Sequence, residues 1–329
     1  MHASGHSPRR RAVLVAALAG AGSVPGSLHA SDAWPARPVR IIVPFAPGGP
    51  ADGSARVLAE AMAPALGQNI VVENRPGAGG MIGITAAAQA KDAHTLLMGS
   101  TSMVVTPALN PNVTYDVFRD FDPIGMVSAQ PLVLVVSAAA PHRAVADLIA
   151  EARANPGRLS FGNSGNGTLA HLTAELFAMQ AGVTITSVPY KGESALLPDL
   201  IAGTVGAGFI NLPSVLPQAR AGKLRAIAVS TAQPIAELPG VPAFKSAGIA
   251  NLEVQGWAAL LAARGIPAEA LARLEGLLAT ALASEAVKKR FADFGVTPVT
   301  STRAGLTDYL KSEAARWGDV VRSRGIKGG

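Results

Sequence analysis

Residues 39–45, VRIIVPF, form a run rich in β-branched side chains and apolar but for Arg40. The run breaks on Pro44, Pro47, Gly48 and Gly49, and a helical stripe then begins in SARVLAEAMAPALG at residues 54–67. A short run of this composition reads as a strand buried on both faces, the habit of parallel sheets. In the helical stretch Val57, Leu58, Ala61, Met62 and Leu66 fall on one face, and Gly67 supplies the stop. The alternation recurs. NIVVENR and TLLMGS read as strands with helix GGMIGITAAAQA between them, and PLVLVVSA follows as a strand after the irregular TPALNPNVTYDVFRDFDPIG. A second series runs helix AVADLIAEARANPG, strand LSFGNS, helix TLAHLTAELFAMQAG, strand ITSVPY, helix SALLPDLIAG, then strands TVGAGFIN and RAIAVS. VQGWAALLAA reads as a strand returning to the first half, and helical segments at residues 267–295 and 303–325 close the chain. Two βα series imply an α/β protein of two lobes, each a mostly parallel sheet flanked by helices. The chain is expected to cross between the lobes twice, near residues 131–135 and 254–258.

The first thirty residues do not belong to that pattern. Arg9, Arg10 and Arg11 precede the apolar AVLVAALAGAG, and SLHA offers a cleavage site after Ala30. This is the plan of a secretory signal peptide, and the paired arginines also permit a twin-arginine route. The apolar run is too short for a membrane span, which needs ~20 residues. Residues 1–30 hold three arginines and no acid, so the rest of the chain carries 25 basic and 22 acidic residues, a formal charge of +3 against +6 for the whole. The basic residues are dispersed and aromatics make up only 5%, so no nucleic-acid surface is expected. The absence of cysteine excludes disulfides, thiolate metal sites and a cysteine nucleophile.

In a parallel α/β sheet, ligands bind beyond the carboxyl ends of the strands, where loops lead into helix N-termini with unpaired N–H groups. Residues 43–56, VPFAPGGPADGSAR, make such a junction, with Gly48 and Gly49 allowing close backbone approach and the helix expected to start near Ser54. Asp52 suits either a helix cap or a ligand hydroxyl, amino group or water. SFGNSGNGTLAHLTAELF repeats the device with Gly162, Asn163, Ser164, Gly165, Asn166, Gly167 and Thr168, with His171 one turn into the helix. VPYKGES gives a third junction, where Lys191 could meet an anion or simply be solvated. Enzyme motifs fail in detail. GAGGMIG places Ile82 where a dinucleotide fingerprint needs its last glycine, and GNSGNG ends on Asn166 and Gly167 without forming G-x-S-x-G. His94, His142 and His171 show no metal-ligand spacing. No catalytic residues, metal or cofactor are expected.

The ordered series WPARPVRIIVPFAPGGPADGSAR, IVVENRPGAGG, TLLMGS, YDVFRDFDPIG, LSFGNSGNGTLAHLTAELF, VPYKG and LPGVPAFKSAGI resembles the periplasmic substrate-binding receptors of tripartite tricarboxylate transporters, the Bug family. The resemblance spans essentially the whole chain after the signal. It implies a two-lobed type II periplasmic binding fold, with residues 34–131 and 255–329 as lobe 1, residues 132–254 as lobe 2 and the crossing strands as hinge. It further implies a small-carboxylate ligand held by Phe45, Ala46, Gly48, Gly49 and Asp52, by Ser100, Thr101 and Ser102, and by Asn163, Ser164 and Gly165, with His171 and Lys191 as additional contacts. The implied partners are a small organic carboxylate and integral membrane transporter subunits, the receptor itself being a monomer. The chain departs from the family pattern in AKDAHTLLMG, which lacks a Pro-Asp-Gly turn, in GWAALLAARGIP, and in LPGVPAFKSAG, which lacks acids. A secreted α/β enzyme for an acidic substrate and a ligand-reporting partner of a membrane sensor are the alternatives.

Overall fold

The run at residue 39 forms strand β1 (Val39–Val43), in which Ile41, Ile42 and Val43 have no solvent exposure. A computed structural model describes residues 34–293 and 295–326; the expected signal peptide lies outside the described residues. After β1 come α1 (Pro50–Leu66), β2 (Ile70–Asn74), a 3-10 turn at Ala78–Gly80, α2 (Met81–Ala88), β3 (Thr95–Gly99), α3 (Thr101–Leu109) and α4 (Val117–Asp120). The middle of the chain forms β4 (Phe121–Ser137), α5 (Val145–Ala154), β5 (Ser160–Asn163), α6 (Leu169–Ala181), β6 (Thr186–Pro189), α7 (Glu193–Ala202), β7 (Ala207–Asn211), α8 (Leu212–Arg220) and β8 (Leu224–Val229). The last part forms β9 (Gln255–Ala263), α9 (Ala268–Ala283), α10 (Glu285–Asp293), β10 (Thr297–Pro298) and α11 (Arg303–Arg324).

Two sheets share β4. In the first, β2, β1 and β3 run parallel, and β9 and then β4 pair antiparallel beyond them. In the second, β4 lies between β8 and β7, and β5 and β6 continue parallel from β7. The sheets are therefore mixed, where mostly parallel ones were expected. The parallel ladders are β1 with β2 and β3, and β5 with β6 and β7, while the long strands β4 and β9 are antiparallel to their neighbours. β4 exchanges partners at one point: Pro131 pairs with Gln255 of β9 and Leu132 with Asn211 of β7. A proline has no N–H for a ladder, so it is tolerated where the pairing changes. The chain from Trp34 onward packs as one compact unit.

Other departures from the sequence pattern have local causes. β4 begins ten residues before the expected strand, at Phe121, because the register shifts between Pro123 and Gly125 absorb both strand-breaking residues. Helices α3 and α8 hide behind Pro107 and Pro217, each inside the helix, and behind the β-branched Val104 and Val105. The apolar run from residue 267 breaks at Ser284 into α9 and α10. Helix α1 starts at Pro50, not near Ser54, since a proline in the first turn forfeits only an N–H that has no helical partner. Its buried face holds Val57, Leu58, Met62 and Leu66, while Ala61 is exposed. In the turn that lacks a glycine, Ala93 takes a φ of +53°, a conformation costing about 1–2 kcal/mol for an L residue. Trp34 Nε1 donates to the Ala93 carbonyl at 2.7 Å, and Asp92 accepts from the His94 N–H at 3.0 Å, which holds the turn.

The second sheet is backed by Phe161, Phe177, Phe209 and Phe244, whose neighbouring ring centroids lie 5.6–6.4 Å apart in tilted, stacked and edge contacts. The first buries Ile41, Val43, Leu96 and Met98 against Leu58 and Met62 of α1. These packed layers fix the strand ends, and the strand ends fix the helix N-termini that follow them.

Candidate ligand-binding cleft

Five helices begin at one cavity. The residues preceding their first turns, Gly49 for α1, Ser100 for α3, Thr168 for α6, Gly192 for α7 and Asn211 for α8, all line it. Only Thr168 uses its side chain as a cap, accepting from the His171 N–H. At the other four no side chain caps the helix, which leaves first-turn N–H groups free for a ligand. Each such terminus carries about half a unit of positive charge. Among the described residues lining the cavity none is Lys, Arg or His. Attraction for an anion must therefore come from backbone, and a carboxylate is the small anion such termini hold well. The cavity volume is about 80 Å³, several times the ~10–15 Å³ one water needs. Phe45, Leu169 and Trp257 give it apolar walls. Trp257 is locked by its indole N–H, which donates to Glu313 Oε2 at 3.0 Å, an oxygen shared with Trp317, and by the edge of Tyr309 at 5.6 Å.

The loop that opens the site is tied down by Asp52. Its Oδ2 accepts from the Gly48 N–H at 3.0 Å and Arg56 Nε at 3.0 Å, and its Oδ1 from Asn74 Nδ2 at 3.0 Å and Arg56 at 2.9 Å. Asn74 also donates to the Phe45 carbonyl at 3.1 Å. Asp52 thus lies inside the first turn, not at the cap position, and both its oxygens are engaged. Burial pushes its pKa up, but hydrogen bonds from Arg56, Gly48 and Asn74 outweigh this and hold it below the ordinary carboxylate value. A depressed folded pKa stabilises above the unfolded value and is lost as pH falls through the folded one. Asp52→Asn is accordingly expected to cost about 1.5–3 kcal/mol at neutral pH, read as a shift of urea midpoint at constant m-value. The gap to the unsubstituted protein should close progressively below pH 4; a gap that is constant with pH would exclude the ionised carboxylate as its source.

The floor of the cavity is a polar network. Glu193 Oε1 accepts from the Asn211 backbone N–H at 2.9 Å and from Asn211 Nδ2 at 2.7 Å, and Ser214 Oγ donates to Oε2 at 2.5 Å. Asn211 Oδ1 in turn accepts from Gln130 Nε2 at 3.3 Å. Burial raises the Glu193 pKa, and the bonds from Asn211 and Ser214 oppose the rise.

Of the residues singled out in the sequence, Phe45, Ala46, Gly49, Asp52, Ser100, Thr101, Ser102 and Ser164 line the cavity. Gly48, Asn163, Gly165, His171 and Lys191 do not. Gly48 serves Asp52. Asn163 is fully buried, accepting from the Gly165 N–H at 2.9 Å and donating to Ser187 at 2.8 Å. His171 Nδ1 accepts from the Gly167 N–H at 3.2 Å, and burial lowers its pKa, so it shapes its loop as a neutral ring. Gly165 and Lys191 line an adjoining pocket of about 230 Å³ with Gly79 and Asn166. Gln130, Glu193, Asn211 and Trp257, which also line the cavity, went unread, and Gly192 was read only as part of the VPYKGES turn. Asn211 had a signal in INLPS, an Asn ending a strand ahead of a proline-started helix; Gln130 had none beyond being polar within an apolar run.

Loops of the two sheets meet at two places, one at the adjoining pocket lined by Gly79 and Asn166 and one at the cavity itself, between Gly192 and Ala46. A Cβ on Gly79, whose φ is +63°, would lie 2.0 Å from the Asn166 carbonyl oxygen, and one on Gly192 would lie 3.4 Å from Ala46 Cβ.

Residues 54–326 match the family model described as the tripartite tricarboxylate transporter family receptor, TctC. The chain is 39% identical over 300 residues to protein BugT of Bordetella pertussis, covering 90% of this chain and 92% of that one. It superimposes on the structure of the periplasmic binding protein BugD with a TM-score of 0.85 at 30% identity, covering 89% of this chain and 99% of BugD. The R. palustris protein Rpa4515, solved with adipate, gives a TM-score of 0.85 at 34% identity over 89% of this chain and 99% of that one.

Proposed function

Because the chain belongs to the tripartite tricarboxylate transporter receptor family, TctC, we propose that it binds a small organic carboxylate in the cavity ringed by the five helix N-termini and hands it to a membrane transporter. The observation that carries this reading is the convergence of those termini on a cavity lined, among the described residues, by no basic side chain. The adipate bound by Rpa4515 supports the same ligand class. Periplasmic binding proteins are the structural relatives, which supports export by the signal plan at residues 1–30.

Closure completes the reading. The proposed hinge lies at Pro131/Leu132, where β4 changes partners, and at Val254/Gln255, where the Val254 N–H bonds to the Ser230 carbonyl just before β9 begins. Residues 34–131 with 255–329 then move against residues 132–254. A ligand touching both sides gains contacts that an open form lacks, so it shifts the population toward the closed one. Phe45, Gly49 and Ser100 hold the ligand from one side, and Ser164, Gly192 and Asn211 from the other.

Delivery is tested by uptake. Cells deleted for this protein should lose high-affinity uptake of the acid it binds, and restored expression should return it. Unchanged uptake in the deletion would refute delivery while leaving binding intact.

A further inference from the structure

We propose that Gln130 sets ligand specificity: its side-chain carbonyl, oriented by a relay through Asn211 and Glu193, accepts a hydrogen bond from a hydroxyl or amino group carried by the bound acid. The inference rests on the receptor reading above and narrows it to carboxylates bearing such a donor.

The relay fixes each amide in turn. Glu193 Oε1 accepts the Asn211 backbone N–H at 2.9 Å, so it is an acceptor whether or not the carboxyl is protonated, any proton residing on Oε2 beside Ser214. The Asn211 side-chain atom 2.7 Å from Oε1 must then be the donor Nδ2, which turns Oδ1 toward Gln130. Oδ1 accepts only from an N–H, so Gln130 presents Nε2 to it at 3.3 Å. What remains is Gln130 Oε1, an acceptor with no partner among the described residues, on a side chain that is 5% exposed and lines the cavity. Gln130 cannot turn over to offer an N–H without breaking the bond to Asn211. Gly256 keeps the cluster tight: a Cβ there would fall 2.6 Å from Asn211 Oδ1 and 3.1 Å from Gln130 Nε2.

Neither acid at the cavity can take this role, since Glu193 has both oxygens engaged by Asn211 and Ser214. Asp52 has both oxygens committed to Gly48, Asn74 and Arg56, so it recognises nothing further. Beside the uncapped N–H groups of α7 and α8, Gln130 Oε1 is an acceptor left without a partner among the described residues, and a plain carboxylate or methylene there leaves it unpaired in a closed site. A site built for a donor discriminates strongly against the analogue that lacks it.

The test compares dissociation constants by titration calorimetry for matched acids of four, five and six carbons. The sets are succinate, malate and aspartate; glutarate, 2-hydroxyglutarate and glutamate; adipate, 2-hydroxyadipate and 2-aminoadipate. In the best-binding set the hydroxy or amino member should bind at least tenfold tighter than the unsubstituted acid. Gln130→Met, similar in size without the acceptor, should collapse that ratio below threefold. A ratio under tenfold in the unsubstituted protein overturns the proposal, as does a ratio that persists in folded Gln130→Met protein. If no acid binds at all, the receptor reading falls, and this inference with it.

Discussion

Gly79→Ala is expected to weaken ligand binding at least 100-fold while the protein still folds. The substituted Cβ would sit 2.0 Å from the Asn166 carbonyl oxygen, a distance that neither backbone can tolerate, so the loops of the two sheets must part. Loops parted beside the cavity forfeit contacts from one side of it, and binding then falls to what the other side alone supplies. The substitution also places alanine at a φ of +63°, which costs about 1–2 kcal/mol by itself. Gly67→Ala separates the two effects. Gly67 has a φ of +74° with nothing within 4 Å of its added Cβ, so it carries the conformational cost without the clash. Calorimetry should find full affinity in Gly67→Ala and little in Gly79→Ala. Equal affinity in the two would mean that the contact between Gly79 and Asn166 is irrelevant to binding.

Gly49→Val should abolish detectable binding from inside the site. Gly49 has φ −86° and ψ 172°, a backbone any residue adopts, and no atom lies within 4 Å of its added Cβ. The valine is therefore accommodated by the fold but extends into the cavity Gly49 lines, beside the N-terminus of α1. Replacing glycine before a helix by valine costs at most about 1–2 kcal/mol. A binding loss of 100-fold or more with a thermal midpoint lowered by only a few degrees is the expected pair of results. Undiminished affinity would exclude the α1 terminus from the ligand site.

The strand-to-helix junctions were legible because they combine apolar runs with Gly and Pro at fixed places. PFAPGG, GNSGNGT and VPYKGES announced three of the five termini, while Ser100 to Ser102 came only with the family resemblance. The helices α3 and α8 themselves went unread. Helix α8 starts directly after β7, without a glycine loop to mark it; at the start of α7 the sequence put weight on Lys191, whereas Gly192 and Glu193 line the cavity. Gln130 and Trp257 belong to β4 and β9, and their approach to the site depends on long-range antiparallel pairing, which no local pattern encodes. Asn163 at the end of β5 and His171 in the first turn of α6 flank the right loop but are turned inward to hold it, a distinction that depends on side-chain direction.

The most direct measurement sets the tightest-binding acid against its uncharged primary amide, by titration calorimetry on protein unfolded and refolded free of ligand. Helix N-termini recognising a carboxylate predict a dissociation constant near micromolar for the acid, about −8 kcal/mol, and an amide at least 100-fold weaker. Equal binding of acid and amide, or no binding by any acid, would contradict the account.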